Sequence, residues 1–255
     1  SDIKDPKLQA PVIIWLGGFS EPEELKTIQQ HTGLEDLEMT KKEGYIVASK
    51  PGTQDKKHIV ISGHDDAGTY YGTQTFEQII VERKGTDWIP EVEIKDWPTM
   101  PIRGSIEGFY GAPWSHEDRL RQLEFYGEHK MNSYIYAPKD DPYHRDKWKE
   151  PYPADKLADL AELVQAAHDN HVDFTFAISP GNTITYSSEG DLQALIDKAQ
   201  SMWDIGVRSF ALFLDDIDPG LRSPEDRAMF GGDPNPPAAA QAYLLNRFNE
   251  EIIQK

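Results

Sequence analysis

From Ile102 onward the chain repeats one beat: a short apolar run, a polar loop, then an amphipathic helical stretch. The strand candidates are Ile102 to Glu107, Ser133 to Ala137, Val172 to Ile178 and Arg208 to Leu214. Leu157, Leu160, Ala161, Val164 and Ala167 make one apolar helical stripe, and Leu192, Leu195, Ile196, Ala199 and Trp203 make a second. A last stripe carries Ala240, Tyr243, Leu244, Phe248 and Ile252. Repeated strand–helix units imply a parallel α/β sheet, either doubly wound or closed into a (β/α)8 barrel. The loops that follow the strands are long and rich in Asp, Pro, Tyr and Trp, which is where a barrel builds its active site. No Gly-rich phosphate loop follows a strand; Ile106 to Gly111 is too aromatic and wrongly spaced for a dinucleotide fingerprint. The pattern therefore favours the barrel. About four strands precede Lys255, and four parallel strands leave open edges and an uncovered interior. The expectation is a truncated barrel, its first half of about four β/α units. The remaining C-terminal barrel segment would then lie on the same or a separate chain.

Before residue 98 the pattern differs. Val12 to Leu16, Tyr45 to Ala48 and His58 to Ser62 read as strands. Ser20-Glu21-Pro22-Glu23 reads as a helix start, with a serine cap and early acids. A second helix is predicted from Ala67 to about Arg83, with Tyr70, Phe76, Ile79 and Ile80 near helical spacing. Ile94 to Pro101 holds two prolines and reads as a junction. Two domains follow as an expectation: residues 1–98, a small α/β domain, and residues 99–255, the barrel half.

Charge narrows the function. A formal net charge of -18 with no basic cluster repels phosphate backbones and anionic surfaces, so no nucleic-acid partner is expected. With zero cysteines, thiolate metal sites and cysteine nucleophiles are excluded. His144, His168 and His171 lack a metal spacing and read as surface or locally bonded residues, so neither a metal nor a cofactor is expected. No apolar run approaches the roughly 18 residues of a membrane span. Ser1 to Pro6 lack the apolar core of a signal peptide; a secreted or extracellular bacterial location is compatible only with a signal outside these residues.

Three stretches carry candidate chemistry. Phe210 to Leu214 is an apolar run that ends in Asp215 and Asp216. Adjacent acids repel, which favours one protonated beside one ionised, the combination that glycosidic cleavage needs. The alternative is a solvated strand end, as Asp218-Pro219-Gly220 nearby suggests. Lys139 follows the second strand between Tyr136 and Tyr143, where it could bond sugar hydroxyls beside tyrosine stacking faces; alternatively Lys139 and Arg145 pair with local acids. In Glu107 to Ser115, glycines such as Gly108 allow close backbone approach and Tyr110 and Trp114 could line a pocket. Equally, Trp114 packs at the base of a helix capped by Ser115 with Asp118.

Taken together, Arg103 to Ile217 resembles glycoside hydrolase family 84, the O-GlcNAcase and hyaluronidase-like β-N-acetylglucosaminidases. The matching blocks are Glu107 to Gly111, Tyr136 to Arg145, Trp148 with Glu150 to Pro153, Ala177 to Gly181, and Leu214 to Ile217. Gly63 to Phe76 resembles the small domain that precedes the barrel there and in family 20 hexosaminidases. The resemblance implies a retaining, substrate-assisted hydrolysis of terminal β-linked GlcNAc from glycans or O-GlcNAc-modified protein, through an oxazoline. Asp215 would orient the substrate acetamido N–H, and Asp216 would act as general acid and then base. Lys139 and the Gly108 carbonyl would hold sugar hydroxyls, with Tyr110 near them. That division requires the strand to end or twist at the pair, because neighbours in a regular strand face opposite ways. Asp218 to Pro237 reads as one long Pro/Gly-rich loop that does not match the family pattern, and later pocket residues of the family lie beyond this chain. The chain alone is therefore expected to be inactive or nearly so. Two other readings stay open: a family 20-like hexosaminidase, disfavoured by the Asp-Asp pair, and a glycan-binding or inactive partner subunit.

Overall fold

Two apolar runs, Tyr45–Pro51 (β2) and Lys57–Gly63 (β3), organise the first sheet. Both are buried along most of their length, which explains why they read as continuous apolar runs rather than alternating ones. The computed structural model describes residues 10–18, 22–34, 37, 40–51, 56–218 and 220–254. The expected helix start at Ser20 and Glu21, and the segment Ser1 to Pro6, lie outside the described residues. The chain divides into two compact units, one through Arg103 together with Gly127–Met131, the other Gly104–Tyr126 with Asn132 onward. Among the described residues no helix is long and apolar enough to cross a membrane.

In the first unit, Val12–Leu16 (β1) pairs parallel with β3, β3 pairs antiparallel with β2, and β2 pairs antiparallel with Val92–Asp96 (β6). Pro22–Thr32 (α1) contributes Ile28 to a core with Trp15, Leu34, Ala48 and Val60. Asp66–Ile79 (α2) contributes Tyr71 to a second core with Tyr45, Val47, Ile59 and Ile61. Asp65 caps α2 by accepting the Gly68 N–H at 2.8 Å.

Two expectations are corrected in this unit. The second helix ends at Ile79, not near Arg83, because Val81–Arg83 (β4) turns back onto Thr86–Trp88 (β5). Lys84 and Gly85 form the two-residue turn with φ of 54° and 73°, the left-handed pair that matches hairpin twist. The second correction lies at the junction: Ile94 to Asp96 is paired strand, and irregular structure begins only after it.

The second unit is mixed α/β with a sheet of four parallel strands, Gly104–Glu107 (β7), Ser133–Tyr136 (β8), Asp173–Ile178 (β9) and Ser209–Leu212 (β10). They lie in chain order without reversal, unlike a doubly wound sheet. His116–Glu128 (α3), Ala154–Asp169 (α4) and Glu189–Asp204 (α5) form the crossovers. One face of the sheet is aromatic: Tyr136 stacks on Phe174 and Phe176 with centroids 5.9 and 6.0 Å away. The other carries the in-register row Ile106, Ile135, Thr175 and Ser209, where Ile106 is 55% exposed. Gly104 is required where β7 meets β8, since a Cβ there would overlap the Ser133 backbone.

The stretch from Asp218 to Pro237 is not one loop. It contains Pro224–Phe230 (α6), capped by Ser223, and it ends where Pro236–Phe248 (α7) begins. Ser223-Pro224-Glu225-Asp226 carries the cap, the first-turn proline and the early acids that start a helix. Of the expected stripe, α7 buries Ala240, Leu244 and Phe248 and half-buries Tyr243, while Ile252 falls in the π-helical turn Asn249–Ile253 that follows.

Candidate active site

The chain after β10 decides how the two aspartates are presented. Regular pairing stops at Leu212, although the Phe213 N–H still donates to the Ile178 carbonyl at 2.8 Å. Asp216 then takes φ of +52°, a left-handed conformation uncommon for a residue with a side chain but more tolerable for Asp than for most. This bend ends the strict alternation of a strand. Both carboxylates consequently reach one lysine: Lys139 Nζ lies 3.8 Å from Asp215 Oδ2 and 3.9 Å from Asp216 Oδ2.

Those distances are ionic rather than hydrogen-bonded. The Lys139 side chain is only 8% exposed, whereas Asp215 and Asp216 are 62% and 56% exposed. Tyr110, on the loop after β7, donates its hydroxyl to Asp216 Oδ2 at 3.0 Å. Its ring centre lies 5.3 Å from Lys139 Nζ and 6.0 Å from the Arg145 guanidinium. Gly108 follows β7 directly; a Cβ there would come 3.3 Å from Ile106 Cγ2, so the glycine leaves its backbone open. The structure thus brings Tyr110, Lys139, Asp215 and Asp216 together at the carboxyl ends of β7, β8 and β10. It is a surface constellation of two acids, one cation and one phenol.

Around Glu107 and Asp141 lies a hydrogen-bonded frame, part buried and part half-buried, that sequence reasoning missed. Glu107, 1% exposed, accepts from Arg119 Nε and Nη2, each at 2.8 Å, from the Trp114 N–H at 3.1 Å, and from the Tyr134 hydroxyl. Burial opposes the Arg119 charge, but Glu107 and the surrounding phenols outweigh it and raise the guanidinium further above its ordinary range. Asp141 accepts from the hydroxyls of Tyr136 and Tyr152 at 2.8 and 2.7 Å and from the Tyr143 N–H at 2.8 Å. Burial, followed by the Asp141 charge, pushes both phenols well above their ordinary value. Lys198 on α5 is buried and donates to the carbonyls of Tyr143 and Glu150. Burial lowers it to about 8, against the opposing pull of Asp141 and Glu150.

Several expectations change here. Tyr136 is not a sugar-stacking face; it is buried in the aromatic layer. Trp114 takes the packing role, with its ring stacked 6.4 Å from Tyr134 and Ser115 capping α3 through the Asp118 N–H at 3.1 Å. Lys139 faces the distant aspartates rather than local acids. His144 is buried rather than on the surface, and it is locally bonded, with Nε2 2.9 Å from the Pro138 carbonyl oxygen. A cleft of about 390 Å³, lined by Arg119, Tyr136, Tyr143, Tyr152, Leu160 and Leu163 among others, includes none of Gly108, Tyr110, Lys139, Asp215 and Asp216.

A parallel β/α sheet with an acid pair at the carboxyl end of a strand is an arrangement common among enzymes that cleave glycosidic bonds. A family model described as beta-N-acetylglucosaminidase matches residues 103–255, and one for domain 2 of glycosyl hydrolase family 20 matches residues 17–97. The chain belongs to the β-N-acetylglucosaminidase family, glycoside hydrolase family 84. It is 42% identical over 115 residues to the protein O-GlcNAcase of Rattus norvegicus, and equally to that of Mus musculus. Each match covers 45% of this chain and 13% of the relative. The solved structure of CpGH84B superposes with a TM-score of 0.73 at 43% identity, over 92% of this chain and 37% of that one. A mutant O-GlcNAc hydrolase from Thermobaculum terrenum gives 0.57 at 42% identity, over 61% of this chain and 33% of that one. This chain therefore spans about a third of the solved relatives, and less of the curated ones.

Proposed function

We propose that this chain is the N-terminal part of a retaining β-N-acetylglucosaminidase that releases terminal β-linked GlcNAc from glycans or O-GlcNAc-modified protein. Residues 1–98 are the small preceding domain, and residues 99–255 are the first half of a (β/α)8 barrel. The in-register row Ile106, Ile135, Thr175 and Ser209 then faces the barrel interior, and the exposure of Ile106 supports that reading. The C-terminal barrel segment completes the sugar pocket, and the chain without it turns over little or no substrate.

In this mechanism the substrate's own 2-acetamido oxygen attacks the anomeric carbon as the glycosidic bond breaks. Asp215 accepts the acetamido N–H, directing that oxygen and stabilising the developing oxazoline. Asp216 gives its proton to the leaving oxygen, and as a carboxylate it then takes one from the water that opens the oxazoline. Lys139, with the Gly108 carbonyl, holds sugar hydroxyls beside Tyr110, and its charge offsets that of the acid pair. The observation that carries this reading is the left-handed Asp216, which lets two adjacent carboxylates meet one lysine.

The test is the Asp216→Asn variant of the whole protein. kcat/KM for substrates with poor leaving groups, which reports the cleavage step and not the opening of the oxazoline, falls by about 10²- to 10⁴-fold, the usual worth of a general acid. Activated aryl glycosides, which leave without protonation, lose far less. An equal loss on both classes sinks the assignment.

A further inference from the structure

A left-handed conformation at a residue with a side chain persists only where its surroundings enforce it. Three contacts lie at Asp216 or within three residues of it. The Phe213 N–H bonds the Ile178 carbonyl at 2.8 Å and fixes the strand end. Tyr110 donates to Asp216 Oδ2 at 3.0 Å. The third is steric. A Cβ built on Gly181, in the loop after β9, would fall 2.6 Å from Ile217 Cγ2, 2.9 Å from Cδ1 and 3.4 Å from Cβ. The Ile217 side chain thus fills the volume that any larger residue at 181 would occupy. Isoleucine is branched at Cβ and stiff at χ1, so Cγ2 cannot swing aside without moving the backbone that carries it. That backbone is the peptide joining it to Asp216.

We propose that Gly181 and Ile217 are a positioning pair, a socket and a knob that fix the left-handed Asp216 and aim its carboxyl at the leaving oxygen. The pair touches no substrate and acts through Asp216, so the inference rests on the acid role proposed above. The geometry requires glycine at 181 although nothing about that residue's own backbone does: its φ lies outside the left-handed range. What the site needs there is an absent side chain, on a different loop from the acid it serves.

The experiment is a double-mutant cycle in the whole protein with Gly181→Ala, Ile217→Ala and both together. kcat and KM are read on an activated aryl β-GlcNAc and on a β-GlcNAc with an alkyl leaving group, and each variant's thermal unfolding is recorded. Gly181→Ala is expected to lower kcat/KM on the alkyl substrate, which reports the acid-assisted cleavage step, by about 10- to 100-fold, the scale of a displaced catalytic group. The aryl substrate should lose only a few-fold. In the double variant the new methyl meets the Ile217→Ala Cβ near van der Waals contact, so most of the lost rate should return. Equal losses on both substrates, or losses in the double variant equal to the product of the singles, overturn the pair. If Gly181→Ala does not fold, Ile217→Ala alone decides: an emptied socket with unchanged leaving-group discrimination overturns it too. A wild-type protein inert toward both substrates instead overturns the assigned function, and this inference with it.

Discussion

Two sets of carboxylates in the parallel unit are held in opposite ways. Glu107, Asp141 and Asp226 are saturated: Glu107 by Arg119, Tyr134 and Trp114, Asp141 by two phenols and an N–H, and Asp226 by the N–H groups of Tyr186 and Ser187 and the Ser187 hydroxyl. Asp215 and Asp216 are more than half exposed and meet Lys139 only at ionic distance. A buried charge must be fully bonded to be tolerated, whereas a reacting acid must keep lone pairs free. Saturation thus separates the frame from the site, and it places Glu107 in the frame although it stands one residue from Gly108.

Stability breaks the comparison most sharply. Arg119→Met leaves the Glu107 carboxylate buried without its cation and should destabilise the fold by about 3–5 kcal/mol. Lys139→Met, which strips a partner from exposed acids, should cost under about 1 kcal/mol. Denaturant midpoints of the two variants check this, and similar losses would erase the distinction between frame and site. Ligand affinity gives the next effect. Asp215→Ala should weaken a thiazoline mimic of the oxazoline by about 10- to 150-fold, as loss of a charged hydrogen bond of about 1.5–3 kcal/mol predicts. Unchanged affinity removes the acetamido role.

The third effect is in pH. Lys198 is lowered to about 8 from an ordinary 10.5, so between those values the unfolded chain holds a proton that the folded chain lacks. Stability contributed by this group therefore rises with pH across that window and is flat below it. The raised phenols of Tyr136 and Tyr152 act in the opposite sense above pH ~10. The informative quantity is accordingly wild type minus Lys198→Met, which should climb between pH 8 and 10. A flat difference would mean that the buried ammonium is not strained by its surroundings.

The strands were legible because apolar runs between polar loops have a local cause. The parallel β/α repeat of the second unit was legible too, whereas β6 was not, because its residues run into a Pro-rich stretch that reads as a junction. The hairpin after α2 was not: Ile79 and Ile80 continue the helical spacing of Tyr70 and Phe76, and only the φ of Lys84 and Gly85 reverses the chain. The acid pair was visible as residue types, and the need for a strand break there followed from the roles the resemblance implies together with strand alternation. How that break is made was not visible, because it depends on Gly181 and Tyr110, which lie 36 and 106 residues from Ile217 and Asp216. The frame stayed hidden for the same reason. Nothing near Glu107 announces that Tyr134, 27 residues on, will saturate it.

The account stands most directly on one measurement: hydrolysis of an aryl β-GlcNAc by this chain with and without the C-terminal barrel segment, beside the matching aryl β-glucoside. It predicts turnover only when both parts are present and only when the sugar carries its 2-acetamido group. Equal turnover of the glucoside, or none from a folded whole protein, would contradict it.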